Sequence, residues 1–302
     1  MKICLACNTA SAGQSWTCPT CGYTPVRVGG HLTFSPDLAR SGSGFKAEHF
    51  AKLARLEADN FWFRSRNRLL IWALRRYFPD STSLFEIGCG TGFVLAGLRT
   101  AFPTHSFSGS EIFTEGLEYA AVRLPGVELF QMDACKIPFA EEFDVVGAFD
   151  VLEHIAPDEE ALAQMYRAVR LGGGILITVP QHMFLWSQAD EEAMHQRRYA
   201  AAELRRKVER AGFTVVRMTS FVTIPFPLMA AQRLSRRRPD PNYSVFSELA
   251  IGGTLNRLLE GALTLERGLI SSGLSLPLGG SLLLVARKAA GAHSGGAYAG
   301  AV

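Results

Sequence analysis

Residues 84–92 read Leu84-Phe85-Glu86-Ile87-Gly88-Cys89-Gly90-Thr91-Gly92, an apolar run that ends at an acid and is followed by alternating glycines. Glycine at these positions allows a sharp turn and lets a ligand approach the backbone with no Cβ in the way. The carboxylate of Glu86 can accept hydrogen bonds from a cationic or hydroxylated ligand. A nicotinamide-binding loop spaces its glycines as G-x-G-x-x-G, but Phe93 stands three positions after Gly90. The loop therefore indicates a ligand site and excludes that fingerprint.

Short apolar runs alternate with longer amphipathic stretches from residue 84 to about residue 217, and a helical pattern at 50–78 precedes them. The short runs predict strands and the longer stretches predict helices. The predicted strands span 83–87, 106–111, 127–131, 143–149, 174–179 and 214–220, and the predicted helices span 50–78, 93–101, 114–121, 159–169 and 202–211. Strand and helix in alternation indicate parallel pairing with crossover helices. We therefore expect an α/β fold, a doubly wound sheet with helices on both faces, with a last strand at 281–286.

Acidic residues follow the strands of the predicted sheet. Glu111 ends the second strand, Asp133 and Ala134 follow the third, and Asp150 follows the fourth. Ligands of doubly wound sheets bind beyond the carboxyl ends of the strands. Each acid alone could be a loop or helix-cap residue. Four acids in sequence order, with Glu86 as the first, indicate a ligand site instead.

The E-x-G-x-G-x-G pattern and these acids resemble the class I S-adenosylmethionine-dependent methyltransferases, over roughly residues 61–220. The resemblance implies a Rossmann-like fold, methyl transfer and S-adenosylmethionine as the cofactor. It assigns the ribose hydroxyls to Glu111, the adenine amine to Asp133, and an adenine ring nitrogen to the amide of Ala134. It places Asp150 beside the amino acid moiety of the cofactor. The expected cofactor-binding residues are Glu86, Gly88, Cys89, Gly90, Gly92, Glu111, Asp133, Ala134 and Asp150.

Methyl transfer from a sulfonium is an in-line displacement, so the protein mainly positions donor and acceptor. A general base is needed only where the acceptor atom carries a proton, as in a hydroxyl or a phenol. The candidate catalytic residues are His154, His195 and Tyr199, although His154 could equally be a helix-cap residue. Residues 186–199 follow the fifth strand, where this fold places a substrate-facing insertion. They form either a lid or a structural hairpin.

The spacing Asp150-x-x-Glu153-His154 is similar to the E-x-x-E-H motif of the ubiquinone-biosynthesis O-methyltransferases, in the type 11/12-like group. That motif can hold a divalent ion. The resemblance therefore implies a magnesium site in which Asp150 replaces the first glutamate.

Two C-x-x-C pairs, Cys4-x-x-Cys7 and Cys18-x-x-Cys21, are separated by ten residues near the start of the chain. Four thiolates around one tetrahedral zinc ion would hold together a unit that is too small for a core of its own. The pattern resembles the zinc-ribbon family. It implies a structural zinc, because four cysteines leave no open position for water. Four unligated cysteines are the alternative.

The pattern as a whole predicts five segments. Glycine and serine at 29–30 and 41–44 indicate a linker, and the small residues beyond 289 indicate disorder. The segments are a zinc ribbon at 1–30, a linker at 31–48, an S-adenosylmethionine-binding domain at 49–220, a C-terminal extension at 221–289 that completes the sheet, and a disordered tail at 290–302.

The formal net charge of +3 is too small to imply nucleic acid or acidic membrane lipids by itself. Lys2 and Arg27 are the only basic residues before residue 31, which is a poor electrostatic footprint for nucleic acid. The sequence shows neither a signal-peptide pattern nor a run of about 18 apolar residues. We therefore expect a cytoplasmic protein, or one that is peripheral at the inner membrane face.

Basic residues at 233–238 follow the apolar residues 228–231, and an amphipathic stretch comes next. This arrangement indicates peripheral membrane contact through residues 228–285. The alternative is that these segments complete the core and a homodimer interface. The predicted function is methylation of an oxygen or carbon atom of a small-molecule or lipid-linked acceptor. An RNA methyltransferase that binds through the zinc ribbon and a non-catalytic cofactor-binding protein are the alternative functions.

Overall fold

The structure is a computed structural model that describes residues 1–13, 15–39, 49–235 and 243–290. Its strands are β1 (Lys2–Ile3), β2 (Ala10–Ser11), β3 (Val26–Val28), β4 (His31–Thr33), β5 (Ser83–Ile87), β6 (Ser106–Glu111), β7 (Glu128–Gln131), β8 (Phe143–Phe149), β9 (Val169–Pro180), β10 (Thr214–Phe221) and β11 (Ser281–Arg287). Its α-helices are α1 (His49–Leu56), α2 (Phe61–Tyr77), α3 (Phe93–Ala101), α4 (Thr114–Arg123), α5 (Asp158–Ala168), α6 (Gln188–Glu192), α7 (Ala201–Arg210), α8 (Phe226–Ser235), α9 (Val245–Leu249) and α10 (Gly253–Ser271).

Nine strands of the described ranges form one sheet, in the order β10-β11-β9-β8-β5-β6-β7-β4-β3. The run from β9 to β4 is parallel throughout. Strand β11 lies antiparallel between β9 and β10. The predicted α/β fold with its doubly wound sheet is confirmed. The predicted helix at 50–78 is two helices, α1 and α2, and the Asn60 side chain caps the second by accepting a hydrogen bond from Trp62 N.

The sheet is covered on both faces because its central strands are apolar on both sides. All five residues of β5 are buried. On one face Phe85 belongs to a core that includes Leu162 of α5. On the other face Leu84 belongs to a core that includes Leu70 of α2. Burying each such side chain contributes roughly 1.5–3 kcal/mol, and the two layers leave the carboxyl ends of the parallel strands free to form a site.

The segment that follows the cysteine pairs is part of the main sheet. Strands β3 and β4 form a hairpin, and β4 pairs in parallel with β7, where Leu32 lies beside Phe130. The predicted linker at 31–48 is therefore wrong for residues 31–39. Pairing with β7 covers backbone groups that would otherwise form an open sheet edge. Residues 40–48 lie outside the described part of the chain.

Trp16 anchors the cysteine-containing segment to the main core. Its ring packs edge-on against Phe34, Phe130 and Phe139, with ring centroids 4.9, 5.7 and 5.6 Å away. The backbone of Ile3 also donates a hydrogen bond of 2.9 Å to Pro138 O. The described residues before residue 40 and the sheet therefore form one packed unit.

The C-terminal segment is also integrated into the main unit. In addition to the pairing of β11 with β9 and β10, helix α10 packs on α2. Arg64 and Arg68 both donate to the Glu260 carboxylate, and Asn256 Oδ1 accepts a hydrogen bond of 2.8 Å from Phe61 N. In the described ranges no helix combines the length and hydropathy that crossing a bilayer requires. Apart from residue 290, the predicted tail lies outside the described residues.

Candidate functional site

The glycine loop between β5 and α3 lies at the carboxyl end of the central strand. Gly88, Gly90 and Gly92 have φ angles of +65°, +53° and +74°, a backbone region that strains every residue with a Cβ. A Cβ on Gly88 would lie 2.5 Å from Val151 Cγ2. The structure therefore requires glycine at this position for both backbone and steric reasons. The Cys89 side chain is buried and its Sγ lies against Gly109 of β6, so Cys89 offers a ligand only its backbone.

Glu86 is a buried carboxyl group just before this loop. Its side chain is 2% exposed, and Oε2 has no hydrogen-bond partner among the described residues. Burial raises the pKa of Glu86 to about 8, an effect that the charge of Arg66 only partly opposes. A buried carboxyl group with an open acceptor position is suited to a cationic ligand.

Glu111 lies at the end of β6, beside the loop. Its Oε2 accepts a hydrogen bond of 3.0 Å from Gly90 N, and its Oε1 accepts from Ile112 N at 2.8 Å and Phe113 N at 3.3 Å. Burial nevertheless raises the pKa of Glu111. A carboxylate offers about four lone-pair positions, so this one can also accept a hydrogen bond from a ligand while it fixes the loop.

Asp133 and Ala134 follow β7, one strand further along the sheet. Asp133 Oδ1 accepts a hydrogen bond of 2.8 Å from Cys135 N, and its backbone amide donates to Ser35 Oγ at 3.3 Å. Gln131 also exchanges hydrogen bonds with the backbone of Ser35. The N-terminal segment thus reaches this end of the site, which no motif in the sequence indicates.

Asp150 forms an ion pair that sequence analysis missed. Its carboxylate accepts from Arg66 of α2 and from Thr178 Oγ1 at 3.1 Å. The guanidinium of Arg66 lies 4.4 Å from the ring centroid of Trp62, and its Nε has no partner among the described residues. An arginine on the buried face of an amphipathic helix is the signal that could have pointed to it.

Helix α1 covers the glycine loop. Phe50 is 3% exposed, and its Cε1 lies 3.7 Å from the position of a Cβ on Gly90. Thr91 Oγ1 donates to both carboxylate oxygens of Glu57, at 2.8 and 2.7 Å. Arg123 of α4 pairs with the same carboxylate. Sequence reasoning did not place α1 at the site, because its contact with the loop is a tertiary one.

His195 lies in a hydrogen-bonded arrangement within the insertion at 186–199. Its Nδ1 lies 2.9 Å from Asp190 Oδ1, and Arg198 Nε donates to the same oxygen at 2.7 Å. Asp190 is completely buried; burial would raise its pKa, but the hydrogen bonds and charges of His195 and Arg198 bring the pKa below its usual range. The insertion is therefore a folded unit that leaves Nε2 of His195 directed away from Asp190.

His154 packs against His195, with ring centroids 4.7 Å apart. Burial, together with the neighbouring His195, lowers the pKa of His154 to about 3. His154 is therefore a neutral imidazole near neutral pH. The structure brings both predicted histidines together.

Tyr199 is in a structural position, which contradicts its expected catalytic role. The side chain is completely buried. Its hydroxyl donates to Asp158 Oδ2 at 2.6 Å, and Lys207 Nζ donates to the same oxygen at 2.6 Å. Burial and the neighbouring Asp158 raise the pKa of Tyr199. A phenol in this position cannot contact an acceptor.

The expected magnesium site does not fit the residues that the structure brings together. Glu153, His154 and His195 place potential ligand atoms within 4.8 Å of one another. Two of these three donors are imidazoles, whereas Mg²⁺ prefers an octahedron of oxygen ligands. Asp150, the expected oxygen ligand, is paired with Arg66 instead.

The four cysteines of the N-terminal segment form a cluster that fits zinc. Their sulfur atoms lie within 4.8 Å of one another. The Cys4–Cys21 and Cys7–Cys18 sulfur pairs are both 3.6 Å apart. A tetrahedral site with Zn–S bonds of about 2.3 Å would place them about 3.8 Å apart. Hydrogen bonding with Thr9 lowers the pKa of Cys7 to about 6, whereas the neighbouring cysteines raise the pKa of Cys21 to about 12. The metal-free cluster therefore keeps part of its thiols protonated, and zinc binding would release those protons.

Comparison with known proteins identifies the domain that carries the glycine loop. Residues 54–218 match the family described as Methyltransferase domain. The chain belongs to this family. The matched range includes the glycine loop, the strand-end acids and the His154–His195 pair, and the predicted resemblance to S-adenosylmethionine-dependent methyltransferases is confirmed.

A probable S-adenosylmethionine-dependent methyltransferase of Mycolicibacterium smegmatis is 25% identical over 163 residues, which cover 53% of this chain and 62% of that protein. The chain thus spans less than two thirds of the length of the curated relatives it matches.

Two solved structures show the same fold. One is a chain in the complex between the Haloferax volcanii Trm112 methyltransferase activator and a methyltransferase, with TM-score 0.53, 18% identity, and coverage of 80% of this chain and 97% of that one. The other is Haemonchus contortus phosphoethanolamine N-methyltransferase 2 with S-adenosyl-L-methionine, with TM-score 0.50, 20% identity, and coverage of 74% and 52%. At these identities the similarity shows the fold alone.

Substitution of Gly88 tests the constraint on the loop of this methyltransferase domain. We expect Gly88→Ala to lower the free energy of unfolding by roughly 2–5 kcal/mol, because the left-handed backbone costs about 1–2 kcal/mol and overpacking against Val151 adds about 1–3 kcal/mol. Urea denaturation measures this loss. Gly126→Ala is the matched control, because Gly126 has φ +80° and nothing within 4 Å of an added Cβ. Equal losses in both variants would contradict the steric argument.

If the four-cysteine cluster binds zinc, the stability of the protein should depend on the metal. We expect about one zinc ion per chain by atomic spectroscopy, and a fall in melting temperature of roughly 5 °C on chelation, because loss of the cluster loosens the Trp16 anchor. Cys18→Ser should reproduce the fall, and chelator should have no further effect on that variant. A zinc-free protein, or a melting temperature that chelation leaves unchanged, would contradict this assignment.

Proposed function

We propose that this protein is an S-adenosylmethionine-dependent methyltransferase that methylates an oxygen or carbon atom of a small-molecule or lipid-linked acceptor. One observation carries the proposal. Glu86, Glu111 and Asp133 lie at the carboxyl ends of the neighbouring parallel strands β5, β6 and β7, around a loop whose three glycines have positive φ angles. Membership of the methyltransferase-domain family supports it.

The chemistry of each group supports a distinct contact with the cofactor. The open Oε2 of Glu86 suits the ammonium group of the amino acid moiety. Glu111 suits the ribose hydroxyls, because it retains acceptor capacity beside the loop amides. Asp133 and the amide of Ala134 suit the adenine. The unpartnered Nε of Arg66, beside Asp150, suits the cofactor carboxylate.

In the proposed reaction the sulfonium of S-adenosylmethionine supplies an electrophilic methyl group. Where the acceptor is a hydroxyl, Nε2 of His195 accepts its proton as the new O–CH₃ bond forms and the S–CH₃ bond breaks. Asp190 orients the imidazole through Nδ1 and stabilises the imidazolium. The neutral ring of His154 packs on His195 without adding positive charge.

An apolar surface beside this histidine supports an acceptor with an apolar portion. Met183 and Phe184, 56% and 55% exposed, follow the carboxyl end of β9. The ring of Phe226 in α8 lies 6.2 Å from that of Phe184. Arg198 links this surface to His195, since its amide donates to Met183 Sδ at 3.3 Å while its Nε donates to Asp190. Exposed apolar side chains next to a reaction centre favour an aromatic or acyl-bearing acceptor.

The raised pKa of Glu86 predicts that the protein releases protons when the cofactor binds. With a pKa of about 8, the free carboxyl group is mostly protonated at pH 7, and an ammonium group that binds to it favours the ionised form. We expect S-adenosylmethionine binding at pH 7 to release a large fraction of one proton per chain. Isothermal titration in buffers of different ionisation enthalpy measures the number. Glu86→Gln should abolish the release, whereas Glu118→Gln on the exposed side of α4 should not change it.

The proposed role of His195 as general base predicts that its substitution lowers turnover and leaves the affinity for the cofactor unchanged. We expect His195→Ala to lower kcat by roughly 10²–10⁴-fold with cofactor Kd unchanged, and Asp190→Asn to lower kcat less. The assay follows tritiated methyl groups into the lipid, small-molecule, protein and RNA pools of a fractionated lysate. His105→Ala is the control, since His105 lies at the amino end of β6. Undiminished turnover in His195→Ala removes this histidine from the mechanism, and label in the RNA pool alone contradicts the acceptor class.

A further inference from the structure

Helix α10 carries a stripe of exposed leucines. Leu255, Leu258, Leu265 and Leu269 are 48%, 67%, 64% and 39% exposed. Ala262 lies between the two pairs of leucines. The five positions 255, 258, 262, 265 and 269 are therefore separated by three, four, three and four residues. This is the repeat that coiled-coil helices use for their seam, because it keeps side chains in one line along the helix.

The rest of the chain holds α10 so that this stripe faces away from the core. Leu263 and Ile270, on another face of the helix, are 5% and 1% exposed. Glu266 Oε2 accepts hydrogen bonds from Thr223 N at 2.7 Å and Ile224 N at 2.9 Å. Glu260 binds Arg64 of α2. The helix therefore cannot rotate to bury its leucines within its own chain.

Two glycines flank the stripe on its outer side. A Cβ on Gly261 or on Gly268 would meet nothing within 4 Å. Glycine inside a helix weakens it relative to alanine, and neither turn geometry nor packing within the described chain requires glycine there. Glycines seven residues apart beside an apolar seam allow a second helix to approach closely.

The charges of α10 favour a protein partner over a membrane surface. The helix contains two arginines and two glutamates. Glu260 is paired with arginines of α2 and Glu266 is buried, so the helix presents only Arg257 and Arg267 outward, a small basic face for its 19 residues. Helices that lie on anionic membranes carry lysine and arginine along the polar face. A wide apolar face would also suit a bilayer better than this narrow seam.

We propose that α10 packs against α10 of a second copy of this chain, as an antiparallel homodimer. The seam is complementary to itself under a two-fold axis, as an isologous interface requires. In this arrangement Leu258 lies against Leu269 of the second copy, and Ala262 lies against Leu265. The same register brings Gly261 close to Gly268 of the second copy, which accounts for both glycines.

The size of the seam sets the expected affinity. From Leu255 to Leu269 the helix rises about 21 Å. A standard interface buries about 800 Å² of surface on each partner, and a single pair of helices of this length buries less than that. Leu274 and Leu278, 52% and 49% exposed, follow the helix and extend the apolar area. We expect a dissociation constant in the micromolar range, with monomer and dimer in exchange.

Sedimentation equilibrium over a wide concentration range tests the proposal. The wild-type protein should approach twice its chain mass of 33.0 kDa. Leu258→Glu with Leu265→Glu should weaken self-association at least about 100-fold, since it buries four charges in one seam. Val122→Glu with Leu171→Glu is the matched control, because these residues are 87% and 55% exposed outside α10. The control should dimerise like the wild type.

A second variant distinguishes loss of the interface from loss of helix stability. Gly261→Gln with Gly268→Gln introduces good helix formers into open space, so the melting temperature should stay the same or rise while self-association weakens. A wild-type protein that stays monomeric at every concentration overturns the proposal, as does dimerisation that neither α10 variant changes. Binding of a monomeric wild type to vesicles of phosphatidylcholine and phosphatidylglycerol, lost in the glutamate variant, would assign the seam to a membrane instead.

Discussion

The contact between the backbone of Gly88 and the side chain of Val151 is the constraint on which the site depends. It joins the loop after the central strand β5 to the segment after β8. A Cβ at Gly88 would come within 2.5 Å of Val151, so the two segments approach only because glycine has no side chain. This approach brings Glu86 to the same end of the sheet as Asp150 and its partner Arg66. The insertion at 186–199, which carries the proposed base His195, follows β9 at the same edge of the sheet.

The electrostatics of the site follow from burial. Burial raises the pKa of Glu57, Glu86, Glu111 and Glu153. The charge of Arg66 offsets only part of the cost of burial at Glu57, Glu86 and Glu153. A ligand that carries a sulfonium and an ammonium group supplies positive charge here, whereas a phosphate ligand would add negative charge to a buried acidic site. The charge balance thus agrees with the glycine spacing, which already excluded the nicotinamide fingerprint.

The two ends of the described chain act on the sheet in different ways. The N-terminal segment adds β4 to the edge at β7 and carries Ser35 to the proposed adenine end of the site. The C-terminal segment inserts β11 between β9 and β10 and places α10 on α2. One end therefore connects the cysteine cluster to the proposed cofactor site through Trp16, and the other presents the leucine seam that we assign to a second copy.

The sequence by itself determined the class of fold, the glycine loop, the strand-end acids and the cysteine cluster. These features depend on local periodicity and on the spacing of a few residue types, which are visible along the chain. Only the tertiary structure showed that residues 31–39 contribute a strand, that Arg66 pairs with Asp150, and that Phe50 of α1 covers the loop. It also showed that Tyr199 is buried on Asp158, while His195 is held by Asp190. Each of these outcomes depends on which segments meet across the sheet, and long-range packing leaves no periodic signal in the sequence.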